Sequence, residues 1–125
     1  MKSIEITHVI TFHKKIVIAT GGSEGIRDIG LIESALNKAF VTFDGQDLYE
    51  GTIRRISVIT YSLIKNHGFV DGNKRVGAAT MLLLLKLNGV TIKYSQEALI
   101  ELGLKTADSI YKEEDIEQWV LQHQV

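Results

Sequence analysis

His67-Gly68-Phe69-Val70-Asp71-Gly72-Asn73-Lys74-Arg75 runs without a break into residues 76–87, the most apolar stretch of the chain. A histidine, an aspartate, a Gly-Asn turn and a Lys-Arg pair therefore stand at the mouth of a core element. Residues 74–87 are apolar almost all round when wound as a helix, and such a helix needs neighbours on several sides. Gly77, Ala78 and Ala79 would let those neighbours come close, and Asn88-Gly89 supplies a left-handed stop. A polar turn leading into a buried central helix is the reading on which the fold rests.

The flanking segments supply the layers around that helix. Ile6, Val9, Ile10, His13, Val17 and Thr20 recur at three and four, the stripe of an amphipathic helix over about residues 7–19 that Gly21-Gly22 ends. Residues 23–27 read as a loop. Asp28 is placed to cap a helix carrying Ile29, Ile32, Leu36 and Ala39 on one face. Asp44-Gly45 signals a tight turn, hence a short hairpin or flap. From about Tyr49 a third helix turns Ile53, Ile56, Thr60, Leu63 and Ile64 inward, leaves Arg54, Arg55 and Lys65 to solvent, and stops near Asn66. Residues 90–94 form a short extended piece. Ser95 caps a helix through about Ala107, and a last helix over residues 112–122 sets Glu113, Glu114 and Asp115 at the positive end of its dipole, with Ile116, Trp119 and Val120 facing in. The expected fold is an all-α bundle of about six helices with a small hairpin, one domain over residues 1–125.

Composition narrows the class. With 45% hydrophobic and 23% charged residues the chain is globular, and a net charge of −1 gives no electrostatic pointer to nucleic acid. The absence of cysteine excludes disulfides and thiolate metal sites and fits a reducing cytoplasm. Met1-Lys2-Ser3-Ile4-Glu5 lacks a signal-peptide layout, and residues 76–87 fall short of the about 20 apolar residues that span a bilayer. These features lead us to expect a soluble cytoplasmic protein without membrane or direct nucleic-acid partners.

The nine residues themselves offer chemistry beside simpler roles. Gly72, Asn73 and Lys74 lie where loop becomes helix, so backbone N–H groups without intrahelical partners point outward, an arrangement that suits anions. Lys74 and Arg75 add positive charge, Arg75 with a fork that matches phosphate oxygens. The simpler reading is a solvated helix end with two surface cations. His67 has the side chain of a general base near neutral pH, or is a surface or capping residue. Asp71 beside a phosphate site suits Mg²⁺, which takes one or two carboxylates plus phosphate oxygens, and it also suits an N-cap. Phe69 turns inward and pins the loop. The stretch is not a Walker loop, because its glycines are too close and an arginine follows Lys74. His67 and Asp71 find no second histidine or cysteine to complete a zinc site, and His13, on an apolar face, reads as core.

The order His-x-Phe-x-Asp-Gly-Asn-Lys-Arg resembles the signature loop of the Fic/Doc superfamily, in particular its Doc branch. Residues 21–28 and 30–36, before the hairpin, and Leu87-Asn88-Gly89 after the central helix extend the resemblance over nearly the whole chain. The resemblance implies an all-helical fold with a target-docking flap and a Mg²⁺·ATP site. By position, His67 would deprotonate a target hydroxyl, Asp71 would hold Mg²⁺, and Gly72, Asn73, Lys74 and Arg75 would cradle the phosphates. Fic adenylyltransferases carry glycine where this chain has Lys74 and a second arginine where it has Ala78. The Doc branch has the lysine, which implies transfer of the γ-phosphate to a protein Ser/Thr, in Doc toxins that of elongation factor Tu. A Phd-type antitoxin would be the partner. Adenylyl transfer and a non-catalytic nucleotide-binding module are the alternatives. Thr20 to Gly25 matches the Ser/Thr-x-x-x-Glu-Gly pattern of Fic inhibitory helices, but Gly21-Gly22 opposes a helix and Ala78 offers Glu24 no arginine. Gly68 replaces a bulkier residue usual in relatives and would loosen the loop around His67.

Overall fold

The computed structural model describes residues 1–125. Six helices and one hairpin follow in the order α1 (Ile6–Thr20), α2 (Ile29–Asn37), β1 (Thr42–Phe43), β2 (Gln46–Asp47), α3 (Thr52–Lys65), α4 (Asn73–Leu87), α5 (Gln96–Ala107) and α6 (Glu113–His123), with a single 3₁₀ turn at Lys38–Phe40 after α2. The strands pair antiparallel, Thr42 opposite Asp47 and Phe43 opposite Gln46, across the Asp44-Gly45 turn. This is the all-α bundle that the periodicity predicts. No helix is long and apolar enough to cross a membrane.

Helix α3, rather than α4, is the hub of the bundle, packing on α2, α4, α5 and α6, while α4 packs on α3, α1 and α5. Val76, Met81, Leu84 and Leu85 of α4 are buried, as are Ile56, Ile59, Leu63 and Ile64 of α3 and Val9 and Val17 of α1. Each buried aliphatic side chain of this size contributes about 1.5–3 kcal/mol of transfer free energy, so this layer supplies much of what offsets chain entropy. Phe69 is 2% exposed and joins the same core, which fixes the loop before α4 to the bundle.

Local chemistry explains most boundaries. The Asp28 carboxylate accepts from the amides of Gly30 and Leu31, and the Ser95 hydroxyl accepts from Ala98, so both helices start where a side chain satisfies an orphan amide. Four expectations need correction, the first being Ile29, which is exposed rather than on the buried face of α2. Helix α3 begins at Thr52, not near Tyr49, because Gly51 at φ 88° breaks the helical path. Ala39 is buried but sits on the 3₁₀ turn rather than on α2. Arg54 and Arg55 are not simply solvated. Arg54 pairs with Glu114 and Glu117 of α6 at 3.4 and 3.1 Å, and Arg55 with Asp47 of the hairpin at 2.6 Å. Lys65 donates to the Ala107 carbonyl and to the Ser109 hydroxyl.

Candidate active site

The loop between α3 and α4 is held on two sides and braced from within by main-chain and side-chain hydrogen bonds. Along one side runs the strap of residues 23–28, bridged at Ile26 and Phe69. The Val70 amide donates to Gly25 O, and the amides of Arg27 and Asp28 both donate to Gly68 O, at 2.8 and 3.0 Å. Gly68 does not loosen the loop, contrary to the sequence expectation. It is buried, and a Cβ there would lie 2.4 Å from Ile32 Cγ1, so its absence lets α2 seal the loop. On the second side α1 presents His13, whose ring stacks on Phe69 at 3.8 Å and whose Nε2–H donates to the Asp71 carbonyl at 2.6 Å. Within the loop, the Asn73 side chain closes a double bond with Phe69, accepting from its amide at 3.1 Å and donating to its carbonyl at 3.0 Å.

These ties leave the named polar groups in distinct states. His67 is exposed, its side chain makes no hydrogen bond, and its backbone adopts φ 52°, which L side chains rarely do. Asp71 does not cap α4. Its Oδ2 accepts from the Ser23 amide at 3.1 Å and its Oδ1 from the Gly72 amide at 2.8 Å. Those two amides, Ser23's above all, hold the Asp71 carboxyl below the usual carboxylate range, with Arg75 and His13 acting in the same direction against partial burial. A Cβ on Gly22 would come within 2.8 Å of Asp71 Oδ2, so only glycine leaves the carboxylate this seat.

Helix α4 begins with Gly72 as N-cap and no side-chain cap. Val76 N is the first amide of this terminus to find a carbonyl, that of Gly72 at 2.9 Å, and the amides of Asn73, Lys74 and Arg75 have no partner. Lys74 and Arg75 are exposed on the same turn. Lys74 forms no ion pair, while an Arg75 Nη donates to the Thr20 hydroxyl. Both side chains also border a cavity of about 620 Å³ between α4 and α5 whose walls include Ala78, Leu99, Gly103 and Leu104. Free amides, a positive dipole end and two cations converge on one spot, which is the chemistry of a phosphate site.

Of the residues singled out from the sequence, Gly72, Lys74 and Arg75 thus share the helix terminus, and Asp71 adjoins it with its carboxylate ionised. Asn73 is buried and its amide group braces the loop, leaving only its main-chain N–H without a partner. Glu24 lies beyond the end of α1, in the strap and not on a helix. No group of three or more histidine, aspartate or glutamate side chains is arranged to hold a metal ion. Asp71 alone, with its spare lone pairs, suits a Mg²⁺ ion that arrives with its own phosphate oxygens. Sequence reasoning put His13 in the core, where it lies, without a role at the loop, and gave none there to Gly22, Ser23 or Arg27. Only His13 carried a signal, as a polar side chain on an apolar stripe that must find a partner when buried.

Two comparisons bear on this geometry. Residues 3–85 match the model of the Fic/DOC family. The chain is also 37% identical over 75 residues to the protein named toxin Doc of Mycolicibacterium smegmatis, a match covering 60% of this chain and 58% of that relative. The family match contains the loop and ends within α4. The chain belongs to the Fic/DOC family.

Proposed function

We propose that this protein is a Doc-type toxin that transfers the γ-phosphate of ATP to a Ser or Thr hydroxyl of a protein, with elongation factor Tu as the expected target and arrest of translation as the consequence. The observation that carries the proposal is the amino end of α4, where three partnerless amides meet an exposed Lys74 that no carboxylate claims, with Ala78 one turn further on. Charge on the β- and γ-phosphates would be met there by the amides of Asn73 to Arg75 and by both cations. Lys74 favours γ-transfer, since Fic adenylyltransferases have glycine at that position and an arginine at that of Ala78.

His67 receives the proton of the attacking hydroxyl as its oxygen bonds to the γ-phosphorus and the bond from that phosphorus to the bridging oxygen breaks, releasing ADP. Its exposed ring is open to a protein target. The Asp71 carboxylate would hold Mg²⁺, which supplies charge neutralisation on the nucleotide phosphates. Positioning and charge are most of what phosphoryl transfer requires. A Phd-type antitoxin is the proposed partner, and the exposed hairpin bearing Phe43 is the proposed docking flap.

The test is a paired labelling experiment with purified protein, Mg²⁺ and elongation factor Tu, run again on a cell lysate. Label at the γ-phosphate should reach the factor, label at the α-phosphate should not, and His67→Ala should transfer neither. Transfer of the α-label would make the protein an adenylyltransferase. Absence of both labels would leave a nucleotide-binding module and defeat the proposal.

A further inference from the structure

The proposed reaction asks that a side chain with no hydrogen bond of its own point reliably at a hydroxyl. His67 is exposed, its ring has no partner, and its direction is set only by a backbone at φ 52°. What holds that backbone is Arg27. Its Nε donates to His67 O at 2.7 Å and an Nη donates to Asn66 O at 3.2 Å, while its own amide donates to Gly68 O at 2.8 Å. Three consecutive carbonyls, those of the residue before His67, of His67 and of the residue after it, are thus gripped by one residue. The planar guanidinium suits this task, because its donors diverge in a fixed fork that a flexible ammonium lacks. Arg27 forms no ion pair that would draw it elsewhere, and the Asn66 side chain is fixed in turn by donating to Leu31 O at 3.0 Å.

We infer that Arg27 is a positioning residue for His67, clamping the Asn66 and His67 carbonyls so that the imidazole keeps its place at the phosphate site. Arg27 does not contact the nucleotide-binding terminus, which is fastened separately through His13, Ser23 and Asn73. The clamp therefore governs turnover and leaves nucleotide binding untouched. The inference rests on the proposed transfer reaction for its kinetic consequence, and its structural half is tested without that reaction.

Arg27→Ala and Arg27→Lys would be compared with the wild-type chain by kcat and KM for ATP in γ-label transfer, and by nitrogen-edited NMR of the His67 ring in the free protein. Arg27→Ala should lower kcat at least tenfold, change KM for ATP less than twofold, and shift or broaden the His67 ring signals. Arg27→Lys, which keeps one donor, should fall between the two. A kcat within twofold of wild type, or a loss of kcat matched by an equal rise in KM, would overturn the inference. If the wild-type chain transfers no label, the functional proposal falls and the NMR arm decides alone: His67 ring signals unchanged in Arg27→Ala would overturn the clamp. Should Arg27→Ala fail to fold, Arg27→Lys carries the same comparison.

Discussion

At the carboxyl end of α4 the Asn88 amide reaches Leu84 O and Leu85 O, Gly89 N reaches Lys86 O, and Val90 N returns to Leu85 O. The Asn88 side chain adds a donor to Leu84 O, and Lys86 lies in the last turn, where the dipole favours a cation. At the amino end the same helix has no side-chain cap, three amides without partners and two cations against a positive dipole. Helix α3 also starts at a glycine, Gly51, without a side-chain cap, but its cations Arg54 and Arg55 are paired with carboxylates, as Lys74 and Arg75 are not. Asp28 caps α2, Ser95 caps α5, and Glu113, Glu114 and Asp115 fill the first turn of α6. One end of α4 is finished for stability and the other is left wanting an anion. That contrast teaches where binding energy has been kept in reserve: an end that disfavours the free protein is one that a phosphate group improves.

The largest expected effect concerns what the unfinished end serves. His67→Ala should lower kcat for label transfer by about 10²–10⁴-fold, the usual contribution of a general base, and leave ATP affinity and melting temperature close to wild type. A variant that instead loses ATP binding would place His67 among the phosphate contacts and blur the division between loop and helix terminus.

Asp71 sharpens the comparison through pH. Its folded pKa is depressed from 3.8, so its contribution to stability is present above that value and lost as pH falls through the lower folded value. Urea unfolding between neutral pH and strongly acid pH should show the wild-type advantage over Asp71→Asn shrinking as pH drops below 3.8. An advantage that stays constant across that range would mean that the Ser23 and Gly72 amides do not hold the carboxylate.

Asn88→Ala attacks the finished end. Loss of its bonds to Leu84 O and to the Lys2 main chain should cost about 1 kcal/mol by urea unfolding and leave ATP affinity unchanged. The smallest effect has the opposite sign. Lys74→Glu replaces a cation by an anion in the first turn and should stabilise the free protein by about 0.3–1 kcal/mol, read as a rise in the urea midpoint.

Much of this architecture was legible before any coordinates. Periodicity of three and four located α1, α3 and α6, because each helix buries one stripe, and Asp28 and Ser95 marked helix starts because their short side chains satisfy amides locally. Asp44-Gly45 gave the hairpin for the same kind of reason. What could not be read depended on long-range closure. Asn73 reads as a phosphate contact until Phe69 is seen to occupy its side chain, and Asp71 reads as a helix cap until Ser23, forty-eight residues earlier, claims one oxygen. Arg54 and Arg55 look solvated on a helix wheel because their partners lie on α6 and on the hairpin. Gly68 shows the same limit most clearly. A helix neighbour that needs the missing Cβ leaves no trace in the local sequence.

The central claim is that the amino end of α4 holds nucleotide phosphates. Isothermal titration calorimetry of Mg²⁺·ATP into the wild-type chain and into the double variant Lys74→Glu, Arg75→Glu tests it most directly. The wild type should bind, and the double variant, which remains folded, should lose at least about 100-fold in affinity, since removing two cations and adding two anions costs the ligand several charge-assisted contacts. Equal affinity in the two proteins, or no binding by the wild type, would contradict it.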